Sequence, residues 1–264
     1  MKAAMITMVG VGVLSFMAVV GTNPSTARAD TINVAYQYVE AGGTLAGTLN
    51  GHPYTDPNSA DGVQKMTTAN PVGSLASQLP ANVWTVCMEL SQNTDYPFNT
   101  YQVQTLSAAL GQAKADLIGQ LWGLHYNNSW QTSTPIYYGG GGHPSFLGNW
   151  NDNPAENQNA LAMIYAVYGI RYNFDGTASS LTVTNSALPF YMPTDSTPAT
   201  IAKVNGWLAA LDLNYHGALP NLVALTSPTM QDLIVETPVV VVPEPATMAF
   251  LGLGLAAIVA RRRK

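Results

Sequence analysis

Residues 153–169 read NPAENQNALAMIYAVYG, and this stretch contains the clearest helix start in the chain. Asn153 is a suitable N-cap, Pro154 occupies the first helical position, and Glu156 lies three residues after the cap. Apolar residues then recur at helical spacing as far as Gly169, where a glycine is a natural C-terminal stop. The pattern therefore predicts a helix from Pro154 to Gly169.

Alternating apolar and polar residues predict strands on both sides of this helix. The predicted strands cover residues 31–40, 44–49, 83–90, 170–174, 181–183, 222–225 and 233–242. Further helices are predicted over 101–124 and from Thr197 onward, and residues 51–62 are rich in turn formers and predict a loop. Strands at both ends with helices between them predict an α+β fold, with a β-sheet or sandwich-like body and two or three inserted helices.

The predicted strand at 83–90 carries the only cysteine of the chain, Cys87. The apolar positions that alternate on the face opposite this cysteine are Trp84, Val86, Met88 and Leu90. Because successive side chains of a strand point to opposite faces, we expect Cys87 to point away from the main core.

The charge of the body excludes one class of function. Only 9% of the 264 residues are charged, against roughly a quarter in an ordinary domain. Residues 30–242 contain 4 basic and 14 acidic side chains, which gives this stretch a net charge of −10. A protein that binds nucleic acid neutralises phosphates with basic residues, so we expect no nucleic-acid partner.

The N-terminal residues have the pattern of an export signal. Lys2 precedes an apolar run over 3–20, and Ala27-Arg28-Ala29 forms a small-x-small cleavage site. We expect residues 1–29 to be a signal peptide and the mature chain to begin at Asp30. A retained membrane anchor at residues 3–20 is the alternative.

The last residues combine three features in order. Pro243-Glu244-Pro245 is followed by an apolar run over 246–260, and four cations end the chain as Arg261, Arg262, Arg263 and Lys264. The run is shorter than the roughly 20 residues that span a bilayer as a helix, although terminal cations can hold it in the membrane. An ordinary single-pass membrane anchor is therefore one interpretation of this tail.

This tail resembles the PEP-CTERM sorting signal. The resemblance implies a hydrophobic sorting helix in residues 238–264, transient attachment to the membrane, and processing by an exosortase-type enzyme. It also implies that the body, residues 30–237, which we expect to be a single domain, ends in the cell envelope, at the surface or in the extracellular matrix.

A single cysteine in an exported protein has four interpretations, because one thiol cannot form an internal disulfide. Cys87 can be an inert core residue, a catalytic nucleophile, half of an intermolecular disulfide, or half of an internal thioester. A thioester forms when the thiolate attacks a glutamine carboxamide and ammonia leaves. Gln158 is the favoured glutamine, since helical spacing places it on a face with Leu161, Ala162 and Tyr165.

Two short motifs support this pairing by resemblance. Val86-Cys87-Met88-Glu89-Leu90 and Gln158-Asn159-Ala160-Leu161 resemble the paired motifs of thioester domains, although Ala162 stands where those motifs have tryptophan. The resemblance implies a Cys87–Gln158 thioester that acylates amines on a surface or matrix polymer.

Other interpretations remain open. The body can be a non-covalent structural or glycan-binding matrix component, since aromatic residues surround the four glycines at 139–142: Trp130, Tyr137, Tyr138, Phe146 and Trp150. A cysteine hydrolase or transglutaminase would need a histidine beside Cys87, and four are scattered through the chain: His52, His125, His143 and His216. They show no spacing typical of metal ligands, and we expect no metal, no cofactor and no enzymatic activity.

Overall fold

The computed structural model describes residues 29–94, 97–131, 154–192, 198–215 and 217–238, except for the side chains at 38–46, 54–61 and 154. Its strands are β1 (Thr31–Leu49), β2 (His52–Val72), β3 (Asn82–Cys87), β4 (Asn99–Thr105), β5 (Phe190–Tyr191), β6 (Leu222–Thr226) and β7 (Leu233–Glu236). Its α-helices are α1 (Leu106–Leu110), α2 (Gln112–His125), α3 (Pro154–Tyr168) and α4 (Pro198–Ala209). The described residues thus have an α+β fold.

Six of the strands close into a ring. The order of hydrogen-bonded neighbours is β2-β3-β7-β6-β4-β1, and β1 also pairs with β2, which joins the two ends. All of these pairings are antiparallel. The short strand β5 pairs with the end of β1, at Thr48 and Leu49. The sequence predicts a β-sheet or sandwich-like body; the structure has a β-sheet, and this sheet is closed on itself.

Side chains fill the inside of this ring. Residues directly opposite each other in a ladder share a face, so the register identifies the inward set. The buried apolar members of that set are Ile32, Val34, Met66, Val83, Tyr101, Val103, Val223, Leu225, Leu233 and Val235. A ring of six strands has room inside for side chains alone, so the helices pack outside it.

From Ala160 onward the central helix α3 is apolar all round, which is typical of a helix covered on every side. Every residue from Ala160 to Ile170 is buried. α3 contacts β1, β2, α2 and α4. At its end, a Cβ added to Gly169 would lie 3.1 Å from side-chain atoms of Leu208 and Val183. Gly169 therefore permits close packing, and the chain continues as a π-helical turn to Asn173.

Several predicted elements are confirmed. The helix from Pro154 runs to Tyr168, and the helix predicted from Thr197 is α4. The strands predicted at 31–40, 83–90 and 222–225 correspond to β1, β3 and β6. β7 ends at Glu236, and the rest of that prediction, from 239 to 242, lies outside the described residues, as do the caps Asn153 and Thr197.

Other predictions were wrong, because pairing over long distances overrides local composition. Residues 44–49 are the end of β1, and residues 52–62 belong to β2 instead of a loop. Residues 101–105 are strand β4, and helical structure begins only at Leu106. Residues 170–174 and 181–183 do not form paired strands, since residues 169–173 form the π-helical turn.

Candidate functional site

Cys87 is the last residue of β3, and its side chain points into the ring. It pairs with Leu233 of β7 and lies on the same face as Thr85, which pairs with Val235. Cys87 is 0% exposed, so the expectation that it points away from the core was wrong. Alternation cannot assign the face here, because Val86 on the opposite face is buried as well.

The ring brings Cys87 together with Gln64 of β2. Gln64 pairs with Thr85, which makes Cys87 its diagonal neighbour on the same face. The Nε2 group of Gln64 donates to the Sγ atom of Cys87 at 3.1 Å. Gln64 is 3% exposed, and its Oε1 atom is buried without a hydrogen-bond partner. A thiol and a carboxamide thus lie side by side in the buried interior of the ring.

This arrangement brings a nucleophilic group next to an acyl group. The carboxamide carbon of Gln64 is one bond from the Nε2 atom that touches the Cys87 sulfur. The sulfur contacts Nε2 and not the carboxamide carbon, so the side chains must rotate before the sulfur comes within the attack distance of about 3–3.5 Å. The unpaired carbonyl oxygen costs about 1–3 kcal/mol in the amide form. The site therefore contains the two groups, a thiol and a carboxamide, that an acyl transfer from nitrogen to sulfur requires.

Gln158 lies in a different environment. It is half-buried on α3, while Leu161, Ala162 and Tyr165 are buried. Its Nε2 group donates to the Oγ1 atom of Thr200 at 3.3 Å, and its Oε1 atom accepts from the Nζ group of Lys203 at 3.4 Å. Both contacts are with α4.

The Cys87 sulfur contacts Gln64 of β2, whereas the Gln158 carboxamide contacts Thr200 and Lys203 of α4. The α3 residue that contacts the chain just after Cys87 is Tyr168, whose hydroxyl donates to the backbone oxygen of Glu89 at 3.3 Å. Tyr168 follows Gln158 by about 15 Å of helix rise. The geometry of the site thus centres on Cys87 and Gln64.

A cluster of charges follows β3. Arg171 lies 3.6 Å from a carboxylate oxygen of Glu89 and 3.3 Å from one of Asp232. Glu89 is 7% exposed, and its Oε1 atom is buried without a hydrogen-bond partner. The Gln231 side chain donates to the Glu89 backbone oxygen at 2.8 Å. One cation thus holds two carboxylates where the chain leaves β3 and enters β7.

The ionisation of Glu89 is shifted by its surroundings. Burial raises its pKa above the ordinary value of 4.5, and the charge of Asp232 raises the pKa further. The Ser91 hydroxyl and the Arg171 guanidinium act in the opposite direction. Burial also raises the pKa of Tyr172, whose hydroxyl accepts from the Leu90 backbone.

This shift predicts a pH dependence of stability. Because the pKa of Glu89 is higher in the folded state, its contribution is fully present below about 4.5 and is lost as pH rises through the folded-state pKa. We expect the Glu89→Gln variant to lose less stability than the wild type in urea unfolding as the pH rises from 4.5 through the folded-state pKa of Glu89. Parallel pH curves for the two proteins would contradict the assignment.

The remaining predicted residues are placed as follows. Ala29 is exposed and Asp30 accepts hydrogen bonds from the Leu75 and Ala76 backbones. The other residues of the export and sorting predictions lie outside the described residues: Ala27, Pro243, Glu244, Pro245, Arg261, Arg262 and Arg263. So do the glycines at 139–142 and the aromatic residues that follow Trp130. Trp130 itself is buried.

The histidines have their own environments. His125 stacks on Trp207 with ring centroids 4.1 Å apart, and burial lowers its pKa. His52 is exposed, and His143 and His216 lie outside the described residues. Within the part of the chain that the structure describes, no three His, Cys, Asp or Glu residues group to hold a metal ion.

Comparison with known families identifies the tail. Residues 241–264 match the model of the PEP-CTERM protein-sorting motif. The motif implies exosortase-dependent export and sorting to the surface or matrix, as the sequence predicts. The chain matches no curated protein, and it matches no solved structure. None of the helices in the described ranges has the length and apolar character needed to cross a membrane.

Gln64 is the site residue that sequence reasoning missed. It follows the turn-forming residues 51–62, so local composition gives no reason to examine it. A usable signal existed in the alternation of Gln64, Met66 and Thr68, which are buried on one face of β2. A glutamine on such a face needs a partner, but only the register of β2 with β3 shows that the partner is Cys87.

Proposed function

We propose that this protein is a non-enzymatic surface or matrix protein whose body attaches covalently to amines through an internal thioester of Cys87. We further propose that Gln64 is the acyl donor. The observation that carries the proposal is the 3.1 Å contact between the Gln64 carboxamide and the Cys87 sulfur inside the ring.

The proposed chemistry is balanced within the two side chains. The Cys87 sulfur attacks the Gln64 carboxamide carbon, a carbon–sulfur bond forms, and the carbon–nitrogen bond breaks. The thiol proton goes to the departing nitrogen, which leaves as ammonia. An amine of a partner then attacks the same carbon, so that Gln64 becomes a substituted amide and Cys87 recovers its proton and its thiol.

Burial protects the proposed bond. A thioester in water hydrolyses, whereas the interior around Cys87 excludes water. An amine can reach this bond only when the ring opens locally. The pairing of β1 with β2 is irregular close to Gln64. Gln64 pairs with Val39 of β1, and register shifts occur between Tyr36 and Tyr38 and between Val39 and Ala41. Such irregularities interrupt the ladder, which favours opening at Gln64.

The proposed chemistry takes place outside the cell. The sorting motif supports display at the surface or in the matrix. The exposure of Ala29 beside the bonded Asp30 supports cleavage of the leader between them. The proposed partners are an exosortase-type enzyme before processing and an amine-bearing surface or matrix polymer afterwards.

The test is the intact mass of the full chain purified from a producing cell. We expect the wild type to be about 17 Da lighter than its unmodified chain because ammonia is lost, and to gain about 31 Da with methylamine. Cys87→Ala and Gln64→Glu should abolish both effects. Gln158→Glu is the matched control, because it changes the glutamine that contacts α4, and it should retain both.

Three outcomes are decisive. An unmodified wild-type mass with a freely alkylated thiol would overturn the thioester. Loss of the mass deficit in Gln158→Glu but not in Gln64→Glu would assign the bond to Gln158 and overturn the role of Gln64. Retention of the deficit in both glutamine variants would exclude both residues as the acyl donor.

A further inference from the structure

An open groove of about 350 Å³ lies at the end of the ring where β3 begins and β7 ends, and its lining includes Val83 and Val235 from the inward set. Its walls come from the start of β3, the end of β7 and the segment that follows α2. The polar and aromatic side chains that line it are Trp84, Tyr126, Asn82, Asn128, Gln131 and Glu236. The groove thus combines two aromatic rings with three carboxamides and one carboxylate.

Contacts among these residues hold the groove in shape. Glu236 accepts from the indole N–H of Trp122 at 3.1 Å, and the Tyr126 ring stacks on that indole with centroids 4.0 Å apart. The Gln131 carboxamide donates to the Tyr126 hydroxyl at 3.1 Å and to the Asn128 oxygen at 3.2 Å. A groove whose side chains are already ordered loses less entropy when a ligand binds.

The lining selects a class of ligand. The Trp84 ring offers apolar surface to the C–H face of a sugar ring, whereas the Tyr126 ring is stacked on Trp122 and packed against Trp130. Each carboxamide has both a donor and an acceptor, which matches the hydroxyl groups of a sugar, since these also donate and accept. The volume is at the low end for ligand pockets and accommodates about two pyranose units.

The charge of the groove and of the body further restricts the class of ligand. The lining residues include one carboxylate, Glu236, and no cation, although the Lys65 ammonium lies 5.3 Å from the centroid of the Trp84 ring. Residues 30–242 carry a net charge of −10, which repels an anionic polymer. We propose that this groove binds a neutral, pyranose-containing oligosaccharide segment of a matrix polysaccharide. Thr237 and Pro238 also line the groove. The ligand is therefore held where the body, residues 30–237, meets the sorting tail.

The test is a titration of the full chain in detergent, followed by tryptophan fluorescence and calorimetry. The probes are the neutral hexasaccharides of cellulose, laminarin and amylose, together with an anionic alginate hexasaccharide. We expect saturable binding of at least one neutral probe and none of alginate. Trp84→Ala should weaken binding at least about tenfold. Asn128→Ala, at an exposed position of the rim, should weaken it with little effect on folding.

Trp207→Ala is the matched control, because this tryptophan stacks on His125 outside the groove and should leave the affinity unchanged. Absence of binding to every neutral probe would overturn the proposal. So would preferential binding of alginate, or equal loss of affinity in Trp84→Ala and Trp207→Ala. These experiments do not involve Cys87 or Gln64, so their outcome is independent of the proposed thioester.

Discussion

The Asn173→Leu variant is expected to unfold with a free energy about 3–5 kcal/mol lower than the wild type. Asn173 is 4% exposed and ends the π-helical turn after α3. Its Nδ2 group donates to the backbone oxygens of Thr182 and Phe190, at 2.7 and 2.8 Å, and its Oδ1 atom accepts from the Phe190 backbone N–H at 2.8 Å. Leucine fills a similar volume but leaves these three backbone groups without their partner.

Urea unfolding followed by circular dichroism measures this loss. The matched control is Asn185→Ala, since Asn185 is exposed and accepts one hydrogen bond, from the Ala187 backbone. We expect the control to lose less than about 1 kcal/mol. Similar losses in the two variants would mean that Asn173 does not organise the segment between α3 and β5.

The Arg171→Met variant should lose about 2–4 kcal/mol, because it leaves two neighbouring carboxylates without their cation in a largely buried place. Methionine keeps the apolar stem of the side chain, so the loss reports the charge more than the packing. Because protonation of Glu89 removes one of the uncompensated charges, the loss should be smaller at acidic pH.

A double-mutant cycle with Glu89→Gln measures this coupling. We expect Glu89→Gln to restore part of the stability that Arg171→Met loses. Lys203→Met is the control, since the Lys203 ammonium contacts the neutral carboxamides of Gln158 and Asn159. A loss in Arg171→Met no larger than in the control would contradict the role of Arg171 as the shared cation.

The parts of the fold that sequence predicts well are those with local causes. The proline at the first helical position and the apolar spacing determine where α3 begins and how far it runs, and the same is true of α4. The apolar runs of β6 and β7 similarly identify strands that are buried on both faces.

The parts that sequence misses depend on partners far along the chain. Residues 52–62 have the composition of a loop, yet they extend β2 because β1 pairs with them. Residues 101–105 precede a helical pattern, yet they pair with β1 and β6 as strand β4. Local propensity cannot reveal either result, since cross-strand neighbours decide it.

The candidate site likewise contains residues that the sequence singles out and one residue that it misses. The single cysteine is conspicuous in the sequence, and the helix that carries Gln158 is correctly predicted. Helical periodicity placed Gln158 on a buried face, but it lies half-buried against α4. Gln64 is 23 positions from Cys87 and becomes its neighbour only through the register of two strands, which the sequence alone does not specify.

The proposed reactive bond between Gln64 and Cys87 is tested by locating the methylamine adduct in the chain. The full chain is treated with isotopically labelled methylamine and digested, and peptide sequencing by mass spectrometry identifies the glutamine that carries the label. We expect the label on Gln64, together with a newly alkylatable thiol at Cys87. A label on Gln158, or no labelled glutamine and a thiol that was free from the start, would contradict it.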